Sequence, residues 1–364
     1  MNDLPVRLLR AGGPLLGLVA TWSLFAVLGG AVFTSWANQE LMLLQTAVVG
    51  TAAVGATWIV VSGGVDLSVG ASIALGTMIG ALVLRAGGSW PVAALATVAS
   101  GVVVGGVLGA LVVGMLARVG VAGALTAAVV AAIAAAGAPP LLAIAGAAAT
   151  LAAGLWATRR WPSSLPLSPF IVTLGLWGAL RGLAKGLGGN QPVYFPRNDE
   201  LAALMLPGSV LLPIGVWLLL VVAAIGALLL RSTVFGRRVV ALGSSRETAR
   251  LCGVDVERTE VLVYGLGGAC AGLAAVLQLS FLSMGDPTTA QGLELKVIAA
   301  VVIGGASLRG GEGSIFGTLL GALVMTVVDN GCTKVGLDNW TQDLATGAII
   351  VGAVALDRWR QQRR

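Results

Sequence analysis

Twelve apolar stretches follow one another along this chain, with charge confined almost wholly to the gaps between them. They lie near residues 15–33, 41–62, 69–84, 91–117, 121–136, 140–157, 168–185, 209–230, 259–282, 293–308, 314–332 and 341–356. A bilayer core about 30 Å thick needs roughly 20 apolar residues per crossing helix, and most of these runs approach that length. Charged residues make up 10% of the chain and hydrophobic ones 57%, whereas a soluble domain carries about a quarter charged residues. The chain therefore reads as an all-α polytopic membrane protein. Its 53 glycines and 5% aromatics suit helices that associate by close backbone approach, since lipid gives them no hydrophobic drive.

The net charge of +6 is a topology signal rather than a nucleic-acid surface. With the N-terminus in the cytoplasm, Arg7, Arg10, Arg118, Arg159, Arg160, Arg231, Arg237, Arg238, Arg246, Arg250, Arg309 and the Arg358–Arg364 tail all fall inside. Arg85, Arg197 and Lys334 fall outside, with Lys185 near that edge. The expected orientation is N-in, C-in. The first run, behind Arg7 and Arg10, extends to about Phe33; it is too long for a signal segment and reads as a retained span.

Within this charge-poor background, Gly63-Gly64-Val65-Asp66-Leu67-Ser68-Val69-Gly70 places a carboxylate between two apolar runs. Lipid cannot solvate it, so protein or a water-filled cavity must, and the glycines predict a broken helix there. Two roles stand for Asp66: contact with a transported solute, or capping of the 69–84 helix, whose free N–H groups and dipole favour a carboxylate. A second glycine-rich segment, 303–321, lacks the lysine and the strand of a phosphate loop and predicts a tight turn bearing Arg309 and Glu312. Breaks are expected around 63–84 and 293–332.

The sizeable polar loop spans 231–258. Ser244–Ser245 with Glu247 predict a helix start and Gly253 a helix stop, giving a short amphipathic helix, Arg246–Cys252. Such a helix exceeds what topology needs and suits docking of a soluble partner; the alternative is a solvated loop whose charge cluster only sets topology. There is no histidine, and Cys252, Cys270 and Cys332 are dispersed without a C-x-x-C pair. No catalytic, metal or cofactor site is expected.

Four segments resemble the permease subunit of bacterial ABC importers for ribose, xylose and related monosaccharides: GGVDLSVG (63–70), SPFIVTLGLWGALRGLA (168–184), FGRRVVALGSSRETARLCGVDVERTEV (235–261) and ELKVIAAVVIGGASLRGGEGSIFGTLLGAL (294–323), followed by DNG (329–331). The resemblance implies one transmembrane permease domain over 1–364, multi-pass in the inner (plasma) membrane and acting as a homodimer. It implies about ten core helices, a cytoplasmic ATPase subunit bound at the 231–258 loop, and an extracytoplasmic sugar-binding protein. Residues 119–165 depart from the family pattern, and an inserted apolar hairpin there raises the expected count to about twelve spans. The family commonly has asparagine after Gly243, where this chain has Ser244, so ATPase pairing is expected to be specialised; serine is common where Cys252 stands, a mild change.

On this reading the ATPase-coupling residues are Arg237, Arg238, Arg246, Glu247, Arg250 and Gly253. The broken helix and translocation path are assigned to Gly63, Gly64, Asp66, Ser68, Thr173, Gln278, Asp329 and Asn330. For the polar members of that set, helix-to-helix hydrogen bonding is the competing role. A secondary transporter would need a buried ionisable relay, for which Glu294, Lys296, Asp329 and Asp66 are the candidates. Within the ABC reading, a nucleoside, a signalling furanose or a branched-chain amino acid are the alternative solutes.

Overall fold

The computed structural model describes residues 4–116, 122, 125, 126, 129, 140–157, 167–206 and 212–362, and these are overwhelmingly helical. Helix α1 (Leu4–Thr34) is interrupted at Gly30, whose φ of 53° and ψ of −138° are not helical. Helix α2 (Trp36–Val61) is buried along nearly all its inner length, as expected of a helix apolar on every side. After the break come α3 (Val69–Arg85) and α4 (Trp90–Val112), then α5 (Pro140–Ala157) and α6 (Pro169–Leu187). A two-residue strand β1 (Val193–Tyr194) and a short α7 (Asp199–Ala202) lead to α8 (Ile214–Ser232), α9 (Val234–Ser244) and α10 (Arg246–Leu251). Helix α11 (Val256–Leu282), strand β2 (Met284–Gly285), α12 (Leu293–Ile303), α13 (Ile315–Lys334) and α14 (Asn339–Gln362) complete the described chain.

Seven helices among the described residues are long and apolar enough to cross a membrane: Gly12–Thr34, Trp36–Val61, Trp90–Val112, Pro169–Leu187, Ile214–Ser232, Val256–Leu282 and Ile315–Lys334. Helix α12 has 11 residues, about 16 Å at 1.5 Å per residue, and is a half-crossing at most. Much of the expected 119–165 hairpin lies outside the described residues. Its described parts touch: Thr150 Oγ1 donates to Thr126 Oγ1 at 3.3 Å.

Helices α2 and α11 form the axis of the bundle. Helix α11 meets α4 glycine to glycine. A Cβ on Gly268 would lie 2.9 Å from the Cα of Gly105, and one on Gly272 would lie 2.7 Å from the Cα of Val98. Any side chain there would force the backbones apart, which is the physical content of small-residue packing in membranes. Helix α3 joins the same layer, with Gly76 against Ala275. Helix α13 is tied to α2 by Thr57 with Thr318 at 2.8 Å and by Asn38 Nδ2 donating to Asn330 Oδ1 at 2.8 Å.

At one end of the bundle three turns interlock: the helix break after Val61, the α9–α10 junction at Gly243, and the glycine turn between α12 and α13. Gly311 N donates to Val61 O at 2.8 Å. Gly310 has φ 88° and lies so close to Gly63 and Gly243 that a Cβ would sit 2.8 Å from the Cα of Gly63. Arg231, Arg237, Arg238, Arg246 and Arg250 are all exposed at this end, and Arg309 belongs to the glycine turn itself. At the opposite end β1 and β2 pair antiparallel, Val193 with Gly285 and Tyr194 with Met284.

Candidate functional site: a polar cavity and a docking end

Helices α2, α11, α12 and α13, with Gln342 of α14, line an open cavity of about 380 Å³ toward the end opposite the arginines. That volume falls within the roughly 300–1,000 Å³ of small-molecule pockets. Its polar lining includes Gln45, Gln278, Gln291, Lys296, Asp329 and Asn330. Lys296 Nζ donates to Asp329 Oδ2 at 2.6 Å, which neutralises the two charges against each other. Gln278 Nε2 donates to Thr289 Oγ1 at 2.9 Å, and Thr289 O in turn accepts from Arg181 Nη1 at 2.6 Å. Arg181 therefore fixes the 286–292 loop, where Ala290 (φ 55°) and Gly292 (φ 79°) turn the chain into α12. Asp329 Oδ1 and Gln45 Oε1 are buried acceptors with no hydrogen-bond partner among the described residues. Such atoms are costly unless a donor arrives.

Of the path residues expected from sequence, Gln278, Asp329 and Asn330 meet in this cavity. Gly63, Gly64, Asp66, Ser68 and Thr173 do not line it. Thr173 is fully buried on α6 and donates to Phe170 O at 3.2 Å. Gly63, with φ 86°, makes the turn that ends α2. Asp66 is half-buried, and its Oδ1 accepts from both Ser68 N (2.7 Å) and Ser68 Oγ (2.6 Å). This is a local Asx-type closure just before α3, rather than a bond to the second or third helical N–H. Behind it, Gly70 abuts Glu294 and Ala290 O, so one layer of side chains separates the helix break from the cavity wall.

Gln45, Gln291, Lys296, Lys334 and Gln342 are further polar residues of the lining. Lys296 stood out in sequence as a charge inside an apolar run, whereas Gln45 gave only the fainter signal of an amide between leucines and valines.

The arginine-rich end follows the sequence closely. Ser245 caps α10, its Oγ accepting from Thr248 N at 3.2 Å, and Gly253 (φ 79°) stops it. Helix α10 buries Ala249 and exposes Arg246, Glu247 and Arg250, while Leu251 is 83% exposed. The 231–258 segment also holds α9, which buries Gly236, Val239 and Leu242 and turns Arg237 and Arg238 outward. The spacing of those three residues was the available signal for this helix.

The sequence model of the family described as "Branched-chain amino acid transport system / permease component" matches residues 38–354. The ribose import permease of Escherichia coli K12 is 31% identical over 89% of this chain and 86% of its own length. The L-arabinose ABC transporter permease of Azospirillum brasilense is 31% identical over 94% of this chain and 86% of its own length. A probable ABC transporter permease of E. coli K12, YphD, is 40% identical over 53% of this chain and 58% of its own length. No solved structure matches the chain.

Proposed function

The chain belongs to the permease-component family of branched-chain-amino-acid-type transport systems, and from that premise we propose that its cavity passes a monosaccharide of the ribose or xylose kind. Relatives alike over most of their length are permeases of ribose and arabinose ABC importers. The chain is accordingly the multi-pass inner-membrane permease subunit of an ATP-driven importer. It works with an ATPase and a substrate-binding protein and has no catalytic site of its own.

The observation that carries the substrate reading is the pairing pattern in the cavity. Lys296 and Asp329 are spent on each other, so amides and hydroxyls make most of the remaining polar wall, with Lys334 as its further charge. A neutral polyol can exchange hydrogen bonds with the amide wall of Gln278, Gln291 and Asn330 without needing a free charge. A zwitterionic amino acid, the solute in the family's description, would find Lys334 for its carboxylate but no free acid for its ammonium, since Asp329 is held by Lys296, so the cavity favours the sugar.

The remaining assignments are of the same kind. The arginine-rich end lies in the cytoplasm and the cavity opens outward, giving N-in, C-in and about twelve spans, with 119–165 as an added hairpin; the arginine distribution supports this. Helix α10 and the outward faces of Arg237, Arg238, Glu247 and Arg250 dock the ATPase, supported by the exposed Leu251. Two copies pair across the cavity face, where Lys296 and Asp329 remain 28% and 24% exposed. Asp66 closes the helix break, and Ser68 serves it as donor.

The test is reconstitution of the permease with its ATPase and binding protein in liposomes, measuring radiolabelled ribose, xylose and arabinose accumulation. ATP-dependent uptake of at least one pentose is expected. Accumulation by the purified permease alone would overturn the reading, as would uptake of leucine but no sugar.

A further inference from the structure

We propose that Glu260 is a positioning residue through which α10 moves the helix break at 62–68. The proposal rests on the reading of α10 as the ATPase-docking helix. Glu260 lies in the second turn of α11 and is fully buried. Its Oε1 forms an ion pair with Arg246, the first residue of α10, whose side chain is 44% exposed. Its Oε2 has no hydrogen-bond partner among the described residues. One turn further along α11, Tyr264 is 1% exposed and its hydroxyl lies against the Val65 backbone at the break. The ring of Tyr264 presses on the break: a Cβ at Gly64 would lie 2.6 Å from its Oη and 3.2 Å from its Cζ. Tyr264 is also held from behind by α4, where a Cβ on Gly109 would sit 3.1 Å from the tyrosine Cβ.

These contacts leave one direction of give. A buried carboxylate separated from its cation is strongly unfavourable, so a shift of α10 must carry Glu260 with it or lose the pair. Tyr264 follows on the same helix face one turn away. With α4 blocking one side, the displacement falls on Gly64 and thus on the Asp66–Ser68 closure that starts α3. Helix α3 packs against Glu294 and Ala290 at the back of the cavity wall, so the chain of contacts runs from the docking end to the proposed passage.

The experiment uses the permease with its ATPase and binding protein in liposomes, with the native cysteines replaced and a Val65→Cys reporter added. Two quantities are read: sugar molecules imported per ATP hydrolysed, and labelling of Cys at 65 by a water-soluble maleimide with and without ATP plus vanadate. Glu260→Gln is expected to lower the import ratio at least tenfold and to abolish the nucleotide response of labelling. The exchange Arg246→Glu with Glu260→Arg is expected to recover part of both, whereas a purely structural pair would lower import and hydrolysis together. A wild-type ratio and labelling response in Glu260→Gln would overturn the relay. If Glu260→Gln does not assemble, Arg246→Lys replaces it, with an intermediate ratio expected and a wild-type ratio overturning the proposal. Failure of Leu251→Cys to cross-link to the ATPase in the wild-type background would overturn the docking reading itself, and the relay with it.

Discussion

The docking end and the cavity are built by opposite routes. At the docking end, α9 and α10 lie within one stretch of sequence, and the cap, the buried alanine and the stopping glycine of α10 are at most eight positions apart. At the cavity, the wall draws on α2, α11, α12 and α13, and the Asn38–Asn330 bond nearby joins positions 292 residues apart. The helices of the first form on local hydrogen bonds, although their junction at Gly243 also packs on Val61 and Gly311. The second exists only once the whole bundle has packed, so its polar groups are satisfied by partners that no local pattern announces. Damage should therefore spread differently from the two regions.

The largest effect is expected where both depend on the shared frame. Gly268→Leu puts a side chain into the backbone of α4 and should leave no monodisperse protein on size-exclusion chromatography, whereas Gly265→Leu, which has open space before it, should purify normally. Equal yields would show that the α4–α11 contact does not hold the bundle together. Next, Lys296→Met leaves Asp329 as an unpaired, partly buried acid and should cut uptake several-fold, since a carboxylate so placed is costly without its cation. Lys296→Met with Asp329→Leu should be better assembled than either single variant, as measured by thermal unfolding; additive losses would mean the pair is not coupled.

Asp66 stands between the two regions. Asp66→Asn keeps an oxygen for Ser68 and should retain appreciable uptake, while Asp66→Leu removes both bonds and should impair assembly. Normal assembly of both variants with transport abolished in both would instead point to solute contact. The smallest effect is expected from Ser245→Ala, which deletes one cap worth about 1 kcal/mol. A severalfold weaker ATPase affinity in titration, with the permease fold unchanged by circular dichroism, would mark the docking end as locally built. Global unfolding would erase the contrast.

What the sequence disclosed follows the same division. Membrane class, the break at 62–68, the α12–α13 turn and the bounds of α10 were legible because each rests on local chemistry: apolar length, positive-φ glycines and a serine cap. Gln278, Asp329 and Asn330 were found as polar residues in apolar runs, but nothing local separated them from Thr173, whose hydroxyl merely bonds back within α6. Sequence also made 293–308 one run, while the structure ends α12 at Ile303. The doubled glycine at 304–305, with φ 90° at Gly305, stops the helix before the apolar pattern does. Helix α9 carries a weak local pattern, because its arginines dominate the segment and its buried residues include a glycine.

Leu251 carries a consequence for how the importer holds together. A leucine left 83% in water represents about 2 kcal/mol of latent adhesion once a neighbour covers it. Unlike the arginines around it, that adhesion is indifferent to ionic strength, and kosmotropic salt strengthens it. On the proposed docking, sulfate washes should therefore weaken the contact less than they weaken one held by charge alone.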